Sequence, residues 1–428
     1  MERFLHYAWK NKLYAPGTLV TAGNIPISVI DAGIQNTDAG PDFFNAKIKI
    51  GETTWAGCVE IHEKASDWMR HHHDKDKAYD SVILHLVEQH DATVCRTNGE
   101  VIPQALFVIP PQVKWNIEWL LSRDASIPCL PRLREIDSIT VSTWVGALLV
   151  ERLERKTKDI LLLLEQYNND WNEVFYITLA RAFGFGINSD AFERLAKSLP
   201  YHCILKQRYS HSQIEAMLFG QAGMLNEVLH AHHYRFLQEE YKFFRQKYGL
   251  QPLDASLFKN MRTRPSNFPH LKIAQLASIL VVHDTLFSRI LAEEKPEEIK
   301  NLFRLPPSEY WETHYHFCDT QHAPVKKMIG DSALNVLFIN AVVPILFAYG
   351  QKNKQTEYCE RAMDLLESLP PEVNQIVIAF KNNGIPVKHA GDSQALIQLK
   401  REYCEKKKCL YCRIGFRLLK RSCLKKEE

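Results

Sequence analysis

Acidic side chains and a histidine stand at the open end of a predicted β-hairpin. Asp42 precedes the alternating stretch FFNAKIKI, and Glu60 and His62 lie in a second alternating stretch, TTWAGCVEIH. With the turn at Gly51 and Glu52, antiparallel pairing places residues whose numbers sum to about 103 opposite one another. Asp42 then faces the segment from Glu60 to His62. We therefore expect the two acids to converge at one end of one hairpin.

Strand alternation decides which side chains share a face. Glu60 and His62 share one, and Asp42 joins it only if the register shifts by one residue, through a three-residue loop or a bulge. Two converging carboxylates repel each other unless a cation lies between them, and Mg²⁺ or Mn²⁺ prefers such oxygen ligands. The spacing predicts Mg²⁺ or Mn²⁺ held by Asp42 and Glu60. In the alternative, Asp42 caps a turn, and Glu60 and His62 face solvent on a half-exposed strand.

A run of histidines follows in RHHHDKDKAYD. On a helix, the adjacent residues His71, His72 and His73 would point about 100° apart and could not all reach one ion. We expect an exposed helix end there, with His73 and Asp80 as the residues able to face the site. His85, in the apolar strand VILHLV, is expected to be a hydrogen-bonded core residue.

A second group of metal-binding residue types lies in YCEKKKCLYCRIGFRLLKRSC, near the end of the sequence. Cys404, Cys409 and Cys412 have the spacing C-x4-C-x2-C, and Cys423 follows. Closely spaced thiolates suit Zn²⁺ or an iron–sulfur cluster. We expect zinc, with Cys423 as the fourth ligand, because zinc imposes no redox requirement. A tail of unrelated cysteines is the alternative.

The same tail is basic and carries aromatic residues. Residues 400–428 contain eleven Lys or Arg against four acids. Tyr403, Tyr411 and Phe416 lie among these cations, a pattern that suits the phosphates and bases of nucleic acid. The tail is therefore the best sequence candidate for a nucleic-acid contact, and a solvated helix face is the alternative.

The length of the chain and the change of residue pattern along it predict an α+β protein. The chain has 428 residues, of which 46% are hydrophobic and 24% charged, enough for two domains with separate cores. Residues 17–108 are strand-like, and after Pro110 and Pro111 nearly everything has helical period. We predict a mixed β-sheet with flanking helices over 1–110 and a large helical domain over 111–428.

Composition also limits the class of protein. The net charge of +3 is too mild to imply a nucleic-acid partner by itself. The first residues lack the layout of a secretory signal, and the longest apolar run, VLFINAVVPILFAY, is too short to span a bilayer. The ten cysteines look like reduced thiols and not a disulfide framework. We therefore expect a cytoplasmic protein without a membrane partner.

The order of elements resembles the PD-(D/E)XK nuclease and restriction-endonuclease-like superfamily. Pro41-Asp42 matches its first motif, Glu60-Ile61-His62 matches its second, EKASDWMRHHH would be the following helix, and SVILHLV the next strand. The resemblance implies that Glu2, on the first helix, supplies a leading acid. His62 stands where that superfamily usually has lysine, so either Lys64 reaches in, His62 acts as a general base or metal ligand, or the site is inactive.

This resemblance implies a metal-dependent nuclease that hydrolyses phosphodiester bonds in DNA or RNA. Asp42 and Glu60 would hold the metal, and His62 or Lys64 would orient or deprotonate a water. Two alternatives are a non-catalytic nucleic-acid-binding protein with a degenerate nuclease core and a scaffold whose helical domain binds another protein. Over its whole length the sequence is also similar to a bacterial family known as a domain of unknown function, on passages such as DAGPDFFNAKI, VEIHEKASDW and CLYCRIG.

Overall fold

The chain forms two compact units, one of which is discontinuous in sequence. The structure, a computed structural model, describes residues 2–14, 17–123, 125–260, 264–319 and 322–421. The first unit comprises residues 1–144 and 400–428, and the second comprises residues 145–399. The sequence placed a boundary near residue 110, whereas the units meet at 144/145 and 399/400, so the last segment of the chain belongs to the first unit.

The described part of the first unit contains a six-stranded mixed sheet with the order β1-β3-β4-β5-β6, and β2 also pairs with β3. Pairs involving β3 are antiparallel, whereas β4, β5 and β6 run parallel to one another. The predicted α+β class, with a large helical part, is confirmed. The strands are β1 (Ile27–Asp31), β2 (Ile34–Gln35), β3 (Phe43–Ile50), β4 (Thr53–Lys64), β5 (Val82–Gln89) and β6 (Gln104–Leu106).

Helices occupy most of the remaining chain. The α-helices are α1 (Glu2–Lys10), α2 (Asp67–Arg70), α3 (Pro111–Ser122), α4 (Ser138–Gln166), α5 (Trp171–Phe183), α6 (Ser189–Ser198), α7 (Tyr201–Leu205), α8 (His211–Gln221), α9 (His232–Tyr248), α10 (Pro269–Val282), α11 (Leu286–Ala292), α12 (Pro296–Asn301), α13 (Tyr310–Thr313), α14 (Asp331–Leu337), α15 (Val343–Asn353), α16 (Thr356–Ser368), α17 (Gln375–Asn382), α18 (Ala390–Gln398) and α19 (Arg413–Lys420). Short 3₁₀ helices cover His73–Lys75, Lys77–Ser81, Leu130–Glu135, Ala255–Leu257, Pro265–Asn267 and Cys409–Tyr411, and π-helices cover Phe338–Val342 and Leu399–Cys404.

The amphipathic helix α1 lies against the long strand β4. Its apolar face buries Leu5, Ala8 and Trp9, and the indole N–H of Trp9 donates a hydrogen bond to the carbonyl of Ala32 (2.9 Å). Burial of such a face is the main source of stability for a helix this short. This packing fixes the position of the remaining side chains of α1 relative to the sheet.

Among the residues that the structure describes, one helical segment of the second unit has the length and composition of a membrane span. It runs from Asp331 to Asn353, and 72% of its apolar window is buried inside the protein. The pair Pro269–Val282 and Leu286–Ala292 passes the same criteria only together, with a bend of 74° between the two helices. Buried core helices of soluble proteins share these properties, so the fold is compatible with a soluble protein.

Candidate functional site

The β3–β4 hairpin carries a bulge near its open end. Ala46 pairs with Gly57 in the predicted register, whereas Phe43 pairs with Val59, one residue out of that register. Asn45, between the two pairs, has a left-handed backbone with φ of +54°. Asparagine tolerates that conformation better than most residues. The register shift that the sequence argument required is therefore present.

Asp42 and Glu60 are adjacent as a result. The main-chain N–H of Asp42 donates to Glu60 Oε2 (3.0 Å), and the main-chain N–H of Ile61 donates to Asp42 Oδ2 (2.9 Å). Burial raises the pKa of Glu60, which is 4% exposed. The hydrogen bond from His73 opposes this rise, and the charge of Asp42 adds to it. The hairpin thus holds its two acids at one place, where one of them is deeply buried.

The first helix contributes a histidine to this place. His6 Nε2 lies 3.1 Å from Asp42 Oδ2. Burial alone would lower the pKa of His6, but the hydrogen bond to Asp42 and the charge of that carboxylate outweigh it, so the pKa is raised. Glu2, the predicted leading acid, lies one helical turn earlier, and its charge raises the pKa of His6 further. His6 was not among the residues predicted from the sequence, although its i, i+4 spacing from Glu2 places both residues on one face of the helix.

Three imidazoles converge beside Glu60. His62 Nε2 lies 3.5 Å and His73 Nε2 lies 3.4 Å from Glu60 Oε1. His71 Nδ1 lies 3.2 Å from His62 Nε2. One ligand atom from each histidine falls within 4.8 Å of the others. This group, named here the histidine cluster (His62, His71 and His73), has the geometry to bind one metal ion, and Glu60 contacts two of its three rings.

The histidine cluster depends on a turn in the chain that helical geometry did not predict. The expected helix over 63–73 is shorter than predicted, since α2 ends at Arg70. His72 then adopts a left-handed backbone with φ of +62° and is exposed. His71 and His73, on either side of it, therefore reach the same place. His73, which the sequence named as a residue able to face the site, is buried beside Glu60, whereas His71 is exposed as expected and also contacts His62.

His62 and Glu60 are both buried, so the alternative in which they face solvent is wrong. His62 Nδ1 lies 2.9 Å from His85 Nε2, and Gln104 Nε2 lies 3.4 Å from His85 Nδ1. Burial lowers the pKa of His62 to about 2 and that of His85 to about 3, and neighbouring imidazoles contribute. Both rings are therefore neutral near pH 7. His85 is the hydrogen-bonded core residue that the sequence predicted.

Lys64 and Asp80, the other two candidates from the sequence, have neighbours outside the histidine cluster. Lys64 is exposed at the end of β4. Hydrogen bonds from Ser66 lower the pKa of Asp91, and the charge of Lys64 acts in the same direction, which places that lysine near Asp91. Asp80 accepts hydrogen bonds from the main-chain N–H (2.9 Å) and the hydroxyl (2.6 Å) of Thr97. Of the two basic candidates at the end of β4, the structure brings His62 into the cluster and leaves Lys64 in solvent.

The predicted cysteine group lies in the first unit and has a fourth neighbour. Cys409 and Cys412 are buried, Cys404 is half-buried, and all are free thiols, whereas Cys423 lies outside the described residues. Burial raises the pKa of Cys129, and the charges of the three other thiols raise it further. Sequence spacing gave no sign of Cys129, because it precedes the group by more than half of the chain.

A basic, aromatic cavity opens beside α1. Its volume is about 300 Å³, and it lies between that helix and the segment that contains α19. The predicted nucleic-acid-binding residues Tyr411 and Phe416 line it, whereas Tyr403 packs on Trp144 with ring centroids 5.3 Å apart. Tyr411 is 71% exposed. The cations and aromatic rings that line the cavity are Arg3, Lys10, Arg413, Tyr7, Tyr411 and Phe416.

Comparison with known proteins gives one match. Residues 2–375 match the model of a family described as "Protein of unknown function (DUF2851)". No curated protein and no solved structure matches the chain.

Proposed function

This chain belongs to the DUF2851 family, and we propose that it is a metal-dependent nuclease that hydrolyses phosphodiester bonds in DNA or RNA. The observation that carries the proposal is the convergence of Asp42, Glu60 and the histidine cluster at one end of the β3–β4 hairpin. The order of strands and acids that resembles PD-(D/E)XK nucleases also supports it. A reduced, cytoplasmic protein fits the free thiols.

The donor atoms fit a divalent transition metal better than Mg²⁺. The histidine cluster supplies three nitrogens, with Glu60 Oε1 beside two of its rings, and imidazole nitrogen suits transition metals such as Zn²⁺, whereas Mg²⁺ is bound through oxygen ligands. A ligand imidazole usually donates its second N–H to a buried acceptor, and His85 Nε2 is in that position for His62. Of the two predicted ions, Mn²⁺ is therefore the better match. A bound divalent ion would lower the pKa of a water and offset the charge of a phosphate.

Asp42 and His6 stand beside these donors. The main-chain N–H of Ile61 and the ring of His6 hold the same oxygen of Asp42, so this carboxylate is fixed before any substrate arrives. Such fixed polar groups stabilise developing charge without having to reorganise. We assign Asp42 as a metal or water ligand and His6 as the residue that orients it. His62 takes the place of the lysine in the resembling superfamily.

The basic, aromatic cavity supports nucleic acid as the substrate. Arg3, Tyr7 and Lys10 have the i, i+4, i+7 spacing of one helix face, and they line the cavity from α1. His6 lies on the same helix and reaches Asp42. A strand whose phosphates contact the cations and whose bases stack on the rings would thus lie on the helix that also contacts the acids.

A second candidate function is nucleic-acid binding without cleavage. The observation that favours it is the position of Lys64, which is exposed near Asp91 while His62 occupies the place of the usual lysine. An imidazole with a lowered pKa provides no permanent cation at that place. In this case the basic cavity would bind nucleic acid, and the cluster would hold a structural ion or none.

The test is cleavage of single- and double-stranded DNA and RNA by the full chain with Mn²⁺, Zn²⁺ or Mg²⁺. We expect Mn²⁺-dependent cleavage that falls by about a hundredfold or more in Asp42→Asn and Glu60→Gln, since each removes a charge from the site. Glu52→Gln is the matched control, because Glu52 lies at the turn of the same hairpin with its side chain 96% exposed.

The outcomes separate the functions. Salt-sensitive binding that persists in both variants, with no cleavage by the parent protein under any metal, would support the non-catalytic candidate. Absence of both cleavage and salt-sensitive binding would refute both and leave a protein-binding scaffold.

A further inference from the structure

Two distant parts of the chain bring cysteines to the same side of the first unit. Cys129 stands at the start of the 3₁₀ helix Leu130–Glu135, and Cys412 stands at the start of α19. These two helices are in contact. Cys409 is held close to α19, since a Cβ on Gly415 would lie 2.1 Å from the carbonyl oxygen of Cys409. Only glycine allows that approach.

Hydrogen bonds fasten the last helix to the region after Cys129. Asn116 Nδ2 donates to the carbonyl of Leu419 (3.2 Å), and Arg132 Nη1 donates to Asn116 Oδ1 (2.8 Å). Arg417 Nε donates to the hydroxyl of Thr140 (3.2 Å). These bonds fix α19 against the segment that carries Cys129. That segment brings Cys129 toward the three cysteines that lie just before α19.

The sulfurs are buried, and main-chain donors face one of them. Cys129, Cys409 and Cys412 are each less than 10% exposed. The main-chain N–H groups of Ile414 and Gly415 face the sulfur of Cys412. Donors aimed at a buried sulfur stabilise a negative charge on it.

The buried indole of Trp144 is a further donor. It faces the sulfur of Cys412, and its N–H has no conventional acceptor within the described part of the chain. The guanidinium of Arg413 lies over its ring, 5.3 Å from the centroid. A metal would convert these buried thiols to thiolates and give the donors a charged acceptor.

The separation and spacing of the thiols favour a cluster over a single ion. Within the described residues, the histidines form the group of three whose ligand atoms lie within 4.8 Å of one another, so the thiols are spread more widely. One Zn²⁺ with bonds of about 2.3 Å would hold its sulfurs closer than that. In contrast, an iron–sulfur cluster places irons and sulfides between its ligands. The spacing C-x4-C-x2-C also occurs in plant-type iron–sulfur proteins, where a distant fourth cysteine follows the three, whereas Cys129 precedes them in this chain.

We propose that Cys129, Cys404, Cys409 and Cys412 bind an iron–sulfur cluster, with Cys129 and not Cys423 as the fourth ligand. This replaces the zinc site predicted from the sequence. Within the first unit, the iron–sulfur cluster would fasten the segment with Tyr411 and Arg413, and hence one wall of the basic, aromatic cavity, to the segment that carries Cys129. The proposal is independent of whether the chain cleaves nucleic acid.

The test is analysis of iron, acid-labile sulfide and zinc in the full chain purified without oxygen. We expect stoichiometric iron and sulfide, a loss of about tenfold or more in Cys129→Ser, and no loss in Cys423→Ser or in Cys359→Ser, a control in the second unit. Iron retained in Cys129→Ser, or lost in Cys423→Ser, would overturn the ligand assignment. Stoichiometric zinc without iron, or no metal, would overturn the cluster.

A second measurement covers the case in which Cys129→Ser fails to fold. In the parent protein, cysteines are alkylated before and after removal of the metal with a chelator and are identified by mass spectrometry. We expect the four proposed ligands to become reactive together only after removal of the metal. Reaction of Cys129 before removal would contradict the proposal.

Discussion

Gly33 provides a sharp test of how the bulge in β3 builds the site. Gly33 has φ of +84°, and a Cβ there would lie 2.5 Å from the carbonyl oxygen of Phe44 and 3.0 Å from the main-chain nitrogen of Ala46. Both atoms flank the bulge residue Asn45. An alanine at position 33 must therefore move the backbone of the bulge. We expect Gly33→Ala to weaken β3 and to displace Asp42.

The loss of stability in Gly33→Ala has two parts. A left-handed backbone costs an alanine about 1 to 2 kcal/mol. Forcing the contact with the Phe44 carbonyl adds about 1 to 3 kcal/mol. Gly99 is the matched control, because its φ is +86° and no described atom lies within 4 Å of a Cβ there. Gly99→Ala carries the first cost alone, so the difference between the variants reports the contact at the bulge.

The assay is hydrogen exchange, followed by mass spectrometry of peptides from β3 and β4. A difference of about 1 to 3 kcal/mol corresponds to exchange about five- to 150-fold faster in Gly33→Ala than in Gly99→Ala. At a Mn²⁺ concentration a hundred times the dissociation constant for Mn²⁺, binding should stabilise Gly99→Ala by about 2.7 kcal/mol. The same concentration should stabilise Gly33→Ala less. Equal exchange in the two variants, with equal Mn²⁺ responses, would refute the link between the bulge and the site.

Two predictions concern the second unit. Lys272 is 4% exposed, and burial lowers its pKa from 10.5 to about 8. Lys272→Met should therefore raise the free energy of unfolding at pH 7 by up to about 3 kcal/mol. The loss of the hydrogen bond to Gln275 reduces this gain. Because the folded state binds fewer protons between pH 8 and 10.5, the parent protein should gain stability across that range, and urea titrations in which Lys272→Met gains equally would contradict this. Arg361 donates to three main-chain carbonyls within 290–293, so Arg361→Met should cost about 2 to 4 kcal/mol, and a melting temperature unchanged from the parent would contradict it.

The sequence predicted the local parts of the site better than the non-local parts. The hairpin register near the turn was correct because chain connectivity sets it, and Asp42 and Glu60 meet as expected. The bulge itself depends on how closely Gly33 approaches β3, which no local pattern reveals. The sequence showed that Asp42 and Glu60 share a face only if the register shifts by one residue, but it did not show that the shift occurs.

Two further misses have different physical causes. Helical geometry was assumed for the run of histidines, and it points His71 and His73 in different directions. The left-handed backbone of His72 interrupts that geometry. Cys129 was missed because its nearness to Cys412 results from packing between segments far apart in sequence. Local periodicity carries no information about such contacts.

The discontinuity of the first unit has a consequence for synthesis on the ribosome. Residues 145–399 emerge between the two segments that build that unit. The sheet and its histidine cluster can form early, but one wall of the cavity beside α1 comes from residues 410–416 and arrives only after the whole helical unit. Domains generally fold in the order in which they emerge. The N-terminal unit is therefore the first to begin folding and the last to finish, and until then its cationic helix face stays open to solvent.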